Sequence, residues 1–159
     1  MQSLNDIKTY LLSKYPQFNA GYANVVKLQD SDILLDEDKQ LYAGIDDTKG
    51  NYFYIRELKT ATYDPMKRGV RVAYYKKTMP CRIVAVMVEG NADVLLKMLI
   101  NGITAKRHFV TDSQTEATTV FKEETGKNLT RKEMTIVSVD FEIIDIVTPK
   151  DCSLNPCNC

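Results

Sequence analysis

Residues 71–102, RVAYYKKTMPCRIVAVMVEGNADVLLKMLING, carry the clearest patterning of apolar and polar positions in the chain. VRVAYYKK and CRIVAVMVE are rich in β-branched and aromatic residues and read as two strands. TMP separates them by too few residues for a crossover, so the spacing predicts an antiparallel hairpin. The pattern then turns helical. Asn91 stands at a cap position with Asp93 in the first turn. Val94, Leu95, Met98 and Leu99 cover one side, and Gly102 offers a left-handed stop.

The same reading extends outward. Ser3 and Asp6 open a first helix in which Leu4, Ile7, Leu11 and Tyr15 share a face, and Pro16 ends it. NYFYIREL is aromatic and β-branched without clean alternation, which predicts a strand buried on both faces. TATYDPMKRG reads as a loop because of Pro65 and Gly69. NVVKL reads as a short strand and AKRHFV as a candidate for another. The last long element, EMTIVSVDFEIIDIV, points Val137, Val139, Phe141 and Ile143 one way and Ser138, Asp140 and Glu142 the other. Ile144 and Ile146 reverse that parity, which predicts either a bulge or a change of neighbouring surface near Ile143. The distal part of this strand reads either as contact with another subunit or as a twisted central strand of a monomer.

These elements predict an α+β fold: a mostly antiparallel sheet of four to five strands with two helices packed on one side. Residues 1–148 form one domain and 149–159 a flexible cysteine-rich tail. Residues 30–50 read as an insertion, extended loop or weakly paired hairpin, in which Ile33, Leu34, Leu35, Leu41 and Tyr42 still need burial.

Composition narrows the classes. A chain of 159 residues buries roughly two-thirds of its unfolded surface, enough for a core without staples. No run of 18 apolar residues is present, so no membrane partner is expected, and MQSLNDIKTYLLSKYP lacks the features of a secretory signal. Lys plus Arg equals Asp plus Glu at 21 each, so any attraction to nucleic acid has to be local. Acidic residues gather in DSDILLDEDKQ and basic ones around 67–77, which reads either as a two-signed surface suited to contact between unlike faces or as an ordinary solvated mixed surface.

Catalytic chemistry is thinly supported. His108 is the single histidine, in a strand-like segment beside Phe109, and no motif places a nucleophile next to a base. The glycines are scattered and form no phosphate loop. DSDILLDEDKQ fails as a calcium loop because Ile33, Leu34 and Leu35 occupy its middle. Cys81 reads as a small buried hydrophobe. Cys152, Cys157 and Cys159 match no standard zinc spacing and read as a reduced tail, with a soft-metal site as the alternative. Lys67, Arg68, Arg71, Lys76 and Lys77 offer cations for phosphates, but strand alternation keeps Tyr74 and Tyr75 from sharing one stacking platform. No enzyme activity, cofactor or metal is expected.

The hairpin RVAYYKKTMPCRIVAVMV, the helix NADVLLKMLING and the long final strand MTIVSVDFEIIDIV, taken in that order over residues 55–148, resemble the tail-terminator and tail-completion proteins of tailed bacteriophages. The resemblance implies a non-enzymatic virion protein, assembled in the host cytoplasm, that forms a six-fold or twelve-fold homo-oligomeric ring at the neck. Its partners would be portal, connector or tail proteins, with DNA passing through the lumen without sequence-specific binding. Docking surfaces would come from hairpin tips, the final strand and the 30–50 segment, making Tyr74, Lys76, Lys77, Phe141, Ile144, Ile146, Asp36 and Asp38 the candidate interface residues. The rival classes are a protein-binding adaptor domain and a small metal-dependent enzyme.

Overall fold

A computed structural model describes residues 4–27, 34–35, 41–42, 51–88, 90–104, 109–113, 122 and 134–148. It shows the expected α+β class. Helix α1 (Leu4–Lys14) buries Leu4, Ile7 and Leu11, with Tyr15 packed partly against the same core. Helix α2 (Ala92–Thr104) begins as the sequence predicts: the Asn91 side-chain oxygen accepts hydrogen bonds from the backbone N–H groups of Asp93 at 2.9 Å and Val94 at 3.3 Å. It buries Leu95, Met98, Leu99 and Ile103, whereas Val94 is exposed.

Gly102 does not stop α2. It lies within the helix and buried, where a Cβ would sit 2.3 Å from Cδ2 of Leu11. The residue is needed for the close approach of α1, not for a left-handed backbone.

The main sheet runs β1 (Ala20–Tyr22), β5 (Tyr52–Glu57), β7 (Arg71–Val88), β9 (Met134–Val147), β8 (Phe109–Ser113), with β6 (Thr62–Arg68) attached to β7. Only β1 and β5 pair in parallel among the described strands. A second, small antiparallel sheet joins β2 (Val26–Lys27), β3 (Leu34–Leu35) and β4 (Leu41–Tyr42). As expected, β5 is buried on both faces. Phe53 and Ile55 join Cys81, Ile83, Ala85, Val137, Val139 and Phe141 under the two helices, while Tyr52 and Tyr54 join Val84, Val86, Met134 and Val25 on the opposite face. Ser138 lies buried on that second face, and its hydroxyl has no hydrogen-bond partner among the described residues.

Two strand readings need correction. The expected hairpin at TMP does not form: β7 is one continuous strand of 18 residues through Thr78, Met79 and Pro80. Proline is tolerated there because the Pro80 carbonyl accepts from Leu58 N–H at 2.9 Å on the β5 side. Within a strand the nitrogen of a residue faces the same edge as its carbonyl, and on that edge β5 has ended at Glu57 and β6 begins only at Thr62. The segment read as a loop, TATYDPMKRG, contains edge strand β6 and the true hairpin. Arg68 and Arg71 are register partners across a two-residue turn, with Gly69 at φ +68° in the first turn position. That geometry suits a right-twisted hairpin and favours glycine there. Of the two readings of β9, the change of neighbouring surface holds: β9 pairs with β7 from Met134 to Val147 without a register shift, and the parity reversal near Ile143 marks the end of the helix layer.

Asn51 fastens the start of β5. Its side-chain nitrogen donates to the Gln17 carbonyl at 3.1 Å, and its side-chain oxygen accepts from Val88 N–H at 2.7 Å. Asn51→Ala strands both groups, and the expected cost is about 1–2 kcal/mol in urea-monitored unfolding.

Ser3, the 105–108 segment with His108, residues 114–121 and the cysteines of the tail lie outside the described residues.

Candidate functional site

Past Met79 and Ile143, the helices no longer cover the sheet, and β6, β7 and β9 continue as a three-stranded antiparallel ribbon. Its register decides which side chains meet. On one face Asp64, Lys76 and Ile146 form a row beside Thr62, Thr78 and Ile144, with Met66 next to Tyr74. On the other, Tyr63, Lys77 and Asp145 form a row beside Pro65, Tyr75 and Val147. Lys77 Nζ sits 5.9 Å from the centre of the Tyr63 ring, within reach of a cation–π attraction. Between Met66 and Lys67 the register shifts, leaving Ala73 without a partner on β6 and increasing the twist toward the tip.

Apolar groups on the ribbon face outward. Tyr63 is 54 % exposed, Val70 96 % and Ile146 62 %. The outer edge of β6 and the β9 edge from Ile143 to Val147 have no strand partner among the described residues. Pro65, the bulge and the charges Asp64, Lys67 and Arg68 blunt the first of these edges, as proteins do where uncontrolled strand pairing has to be prevented. At the base of the ribbon the face that carries Lys76 and Thr78 is bounded by a charged row. Arg82 donates from Nε to Asp140 Oδ1 at 2.6 Å and from Nη2 to Oδ2 at 2.9 Å. This two-pronged pair sets a carboxylate against the like charge of Arg56, the register partner of Arg82 on β5.

A cleft of about 680 Å3 opens in the gap between the end of β5 and the start of β6. Arg56, Glu57, Lys59, Tyr63, Lys77 and Met79 are among its walls. Cys81 lies fully buried beside the same gap, as read from the sequence. Burial, with the Glu57 charge as the lesser cause, pushes its thiol from 9.0 up to about 12. Among the described residues no three His, Cys, Asp or Glu side chains converge as a metal site.

The raised thiol gives a pH signature. Below about pH 9 Cys81 is protonated in both states; between 9.0 and about 12 the unfolded chain ionises while the fold holds the proton. Stability is then lost as pH rises through that window, by at most about 1.4 kcal/mol per pH unit from this group. Urea unfolding at successive pH values should show that slope in the wild type and a shallower one in Cys81→Ala.

Of the interface residues read from sequence, the ribbon gathers Tyr74, Lys76, Ile144 and Ile146 on one face and puts Lys77 on the other. Phe141 is a correction: it is 1 % exposed and part of the core beneath the helices, so its side chain has no open surface to offer a partner. Asp36 and Asp38 lie outside the described residues. Tyr63 and Met66 were missed because Pro65 hid the strand they belong to, and Val70 because its hairpin turn was read as part of a loop. The available signal was Gly69-Val70, a Gly-X pair between two strand-like runs. No family model, no characterised protein and no solved structure matches this chain.

Proposed function

We propose that the protein is a structural virion component that assembles as a homo-oligomeric ring at the head–tail interface of a tailed bacteriophage, six-fold or twelve-fold, in contact with portal, connector or tail proteins. The observation that carries the proposal is the uncovered β6–β7–β9 ribbon. A ribbon of this kind, with Ile146 exposed on one face, Tyr63 on the other and no strand partner at either edge among the described residues, buries too little of its own surface to be favourable as a free projection. Contact with other protein completes it. Ile146 on β9 and Tyr63 on β6 lie on opposite faces and at opposite edges, which suits head-to-tail packing between unlike patches.

The sequence resemblance supplies the setting and the ribbon supplies the means of assembly. Balanced charge fits a ring whose lumen passes DNA, because a strongly cationic channel would retain it. Negative-stain images of the purified protein test the reading: closed rings of uniform diameter are expected. A field of solitary particles would instead favour an adaptor domain that offers the ribbon to a different protein.

A further inference from the structure

Two arginines face each other at the closing pair of the β6–β7 hairpin. Arg68 and Arg71 are register partners, so their Cα atoms stand about 5.5 Å apart and their side chains leave the same face of the ribbon. Like charges directly opposite each other destabilise a strand pair. The molecule has another such pair, Arg56 and Arg82, and there the Asp140 carboxylate offsets the repulsion by gripping Arg82 at 2.6 and 2.9 Å. At the tip nothing does so. Among the described residues Arg68, Arg71 and the adjacent Lys67 form no ion pair, and all three are exposed. Asp64, the nearest carboxylate along β6, stands opposite Lys76 instead.

The fold holds this tip away from its body. Strand β9 ends at Val147, opposite Tyr75, so the hairpin beyond that pair is two-stranded. Arg71 stands eight positions before Met79, where the helix layer ends, and at the usual strand rise that is about 26 Å. Alternation puts Lys67 on the face of Tyr63, and Arg68 with Arg71 on the face of Met66. Cations therefore flank the apex on both faces, and Val70 leads it at 96 % exposure.

We propose that this tip enters the major groove of duplex DNA, with Arg68 and Arg71 on the phosphates of one wall and Lys67 on those of the other. The groove is about 12 Å wide and admits a two-stranded ribbon. Its walls supply the anions that the facing arginines lack, and Val70 meets the groove floor, where a thymine methyl is an apolar contact. An acidic protein surface would meet one face of the ribbon and leave the cations of the other in water. A lipid surface is also a poorer match, because one valine buries too little apolar area to hold the hairpin in the interface. With a net charge of zero the rest of the chain adds no attraction, so the contact is held by the tip and released by moderate salt. The inference goes beyond the ring reading and does not rest on it: assembly uses the ribbon around Tyr63 and Ile146, and the duplex uses the tip.

Fluorescence anisotropy of a labelled random-sequence duplex, titrated with the full chain at successive salt concentrations, tests this. Three phosphate contacts predict a slope of log K against log salt of about −2.7 for each subunit engaged. Arg68→Gln with Arg71→Gln should bring the slope to about −0.9 and weaken binding at least about tenfold at low salt. Arg68→Lys with Arg71→Lys retains the charges and should retain the slope. Lys14→Gln with Lys97→Gln removes equal charge from exposed positions on the two helices and should leave binding unchanged. Relief of the cross-strand repulsion should keep the thermal midpoint of the glutamine tip variant at or above that of the wild type, which separates loss of a contact from loss of the fold.

Wild-type binding by the glutamine tip variant overturns the proposal, as does equal weakening in the helix variant, a fall in the tip variant's midpoint, or no binding by the wild type. Tip-dependent retention on phosphatidylserine vesicles or on polyglutamate, without tip-dependent duplex binding, assigns the tip to lipid or to acidic protein and also overturns it. A wild type that stays a single chain yet binds the duplex through its tip removes the ring reading alone.

Discussion

Phe141→Ala should lower the unfolding free energy by about 3–5 kcal/mol. Phe141 is among the largest fully buried side chains and stands opposite Cys81 on β7 and Val110 on β8, within the cluster that contains Leu99 and Ile103 of α2. Truncation removes transfer energy and leaves a cavity in a layer held between helices and a three-strand stretch of sheet, where collapse is restricted. A domain of ordinary stability has about 5–15 kcal/mol in total, so the variant should be partly unfolded at moderate temperature. Ile146→Ala is the control from the same strand: at 62 % exposure it should change the stability of the isolated subunit by less than about 0.5 kcal/mol. Urea titrations analysed by linear extrapolation measure both, and equal effects would contradict the division of β9 into a buried half and an exposed half.

Gly102→Leu should cost about 3 kcal/mol or more. Leucine gains up to about 1 kcal/mol of helix propensity over glycine within a helix, so propensity alone would make the change stabilising even here in the last turn of α2. Packing opposes it. The first added carbon already falls 2.3 Å from Leu11 Cδ2 and 2.7 Å from Leu11 Cγ, and Leu11 is itself completely buried. Helix α1 therefore has to move, and overpacking of this kind costs about 1–3 kcal/mol and sometimes more even before the rest of the leucine is placed. Leu11→Ala opens the required volume, so the double variant should be more stable than the sum of the two single costs implies. Thermal and urea unfolding of the four proteins measure the coupling. A stabilising Gly102→Leu would contradict the close approach of Leu11 that the account requires.

Much of the body was legible because its signals are local. The Leu4, Ile7 and Leu11 spacing, the Asn91 cap and the alternation of Val137, Val139 and Phe141 each depend on near neighbours, and each appears in the structure. The misreadings arise where a distant partner decides. Pro80 looks like a turn until the gap between β5 and β6 is seen on the edge that its nitrogen faces. Pro65 argues against a strand until β6 is recognised as an edge strand, where a missing N–H is harmless. Gly102 resembles a helix stop because the approach of Leu11, 91 positions earlier, leaves no mark in its immediate sequence.

The candidate site was half legible for the same reason. Ile144 and Ile146 announce themselves by breaking parity, and the register then joins them to Lys76 and Tyr74. Phe141 was misplaced because one alternating strand crosses from core to ribbon without any change in its pattern until Ile143. Apolar residues beneath the helices and apolar residues beyond them look alike in the sequence. Only the extent of the helix layer separates them.

The central claim is that the exposed ribbon joins copies of this chain into a closed ring. Light scattering coupled to size-exclusion chromatography, over a wide range of protein concentration, tests it most directly. A single species at six or twelve times the chain mass is the predicted result, and a species of one chain mass that persists at the highest concentration would contradict it.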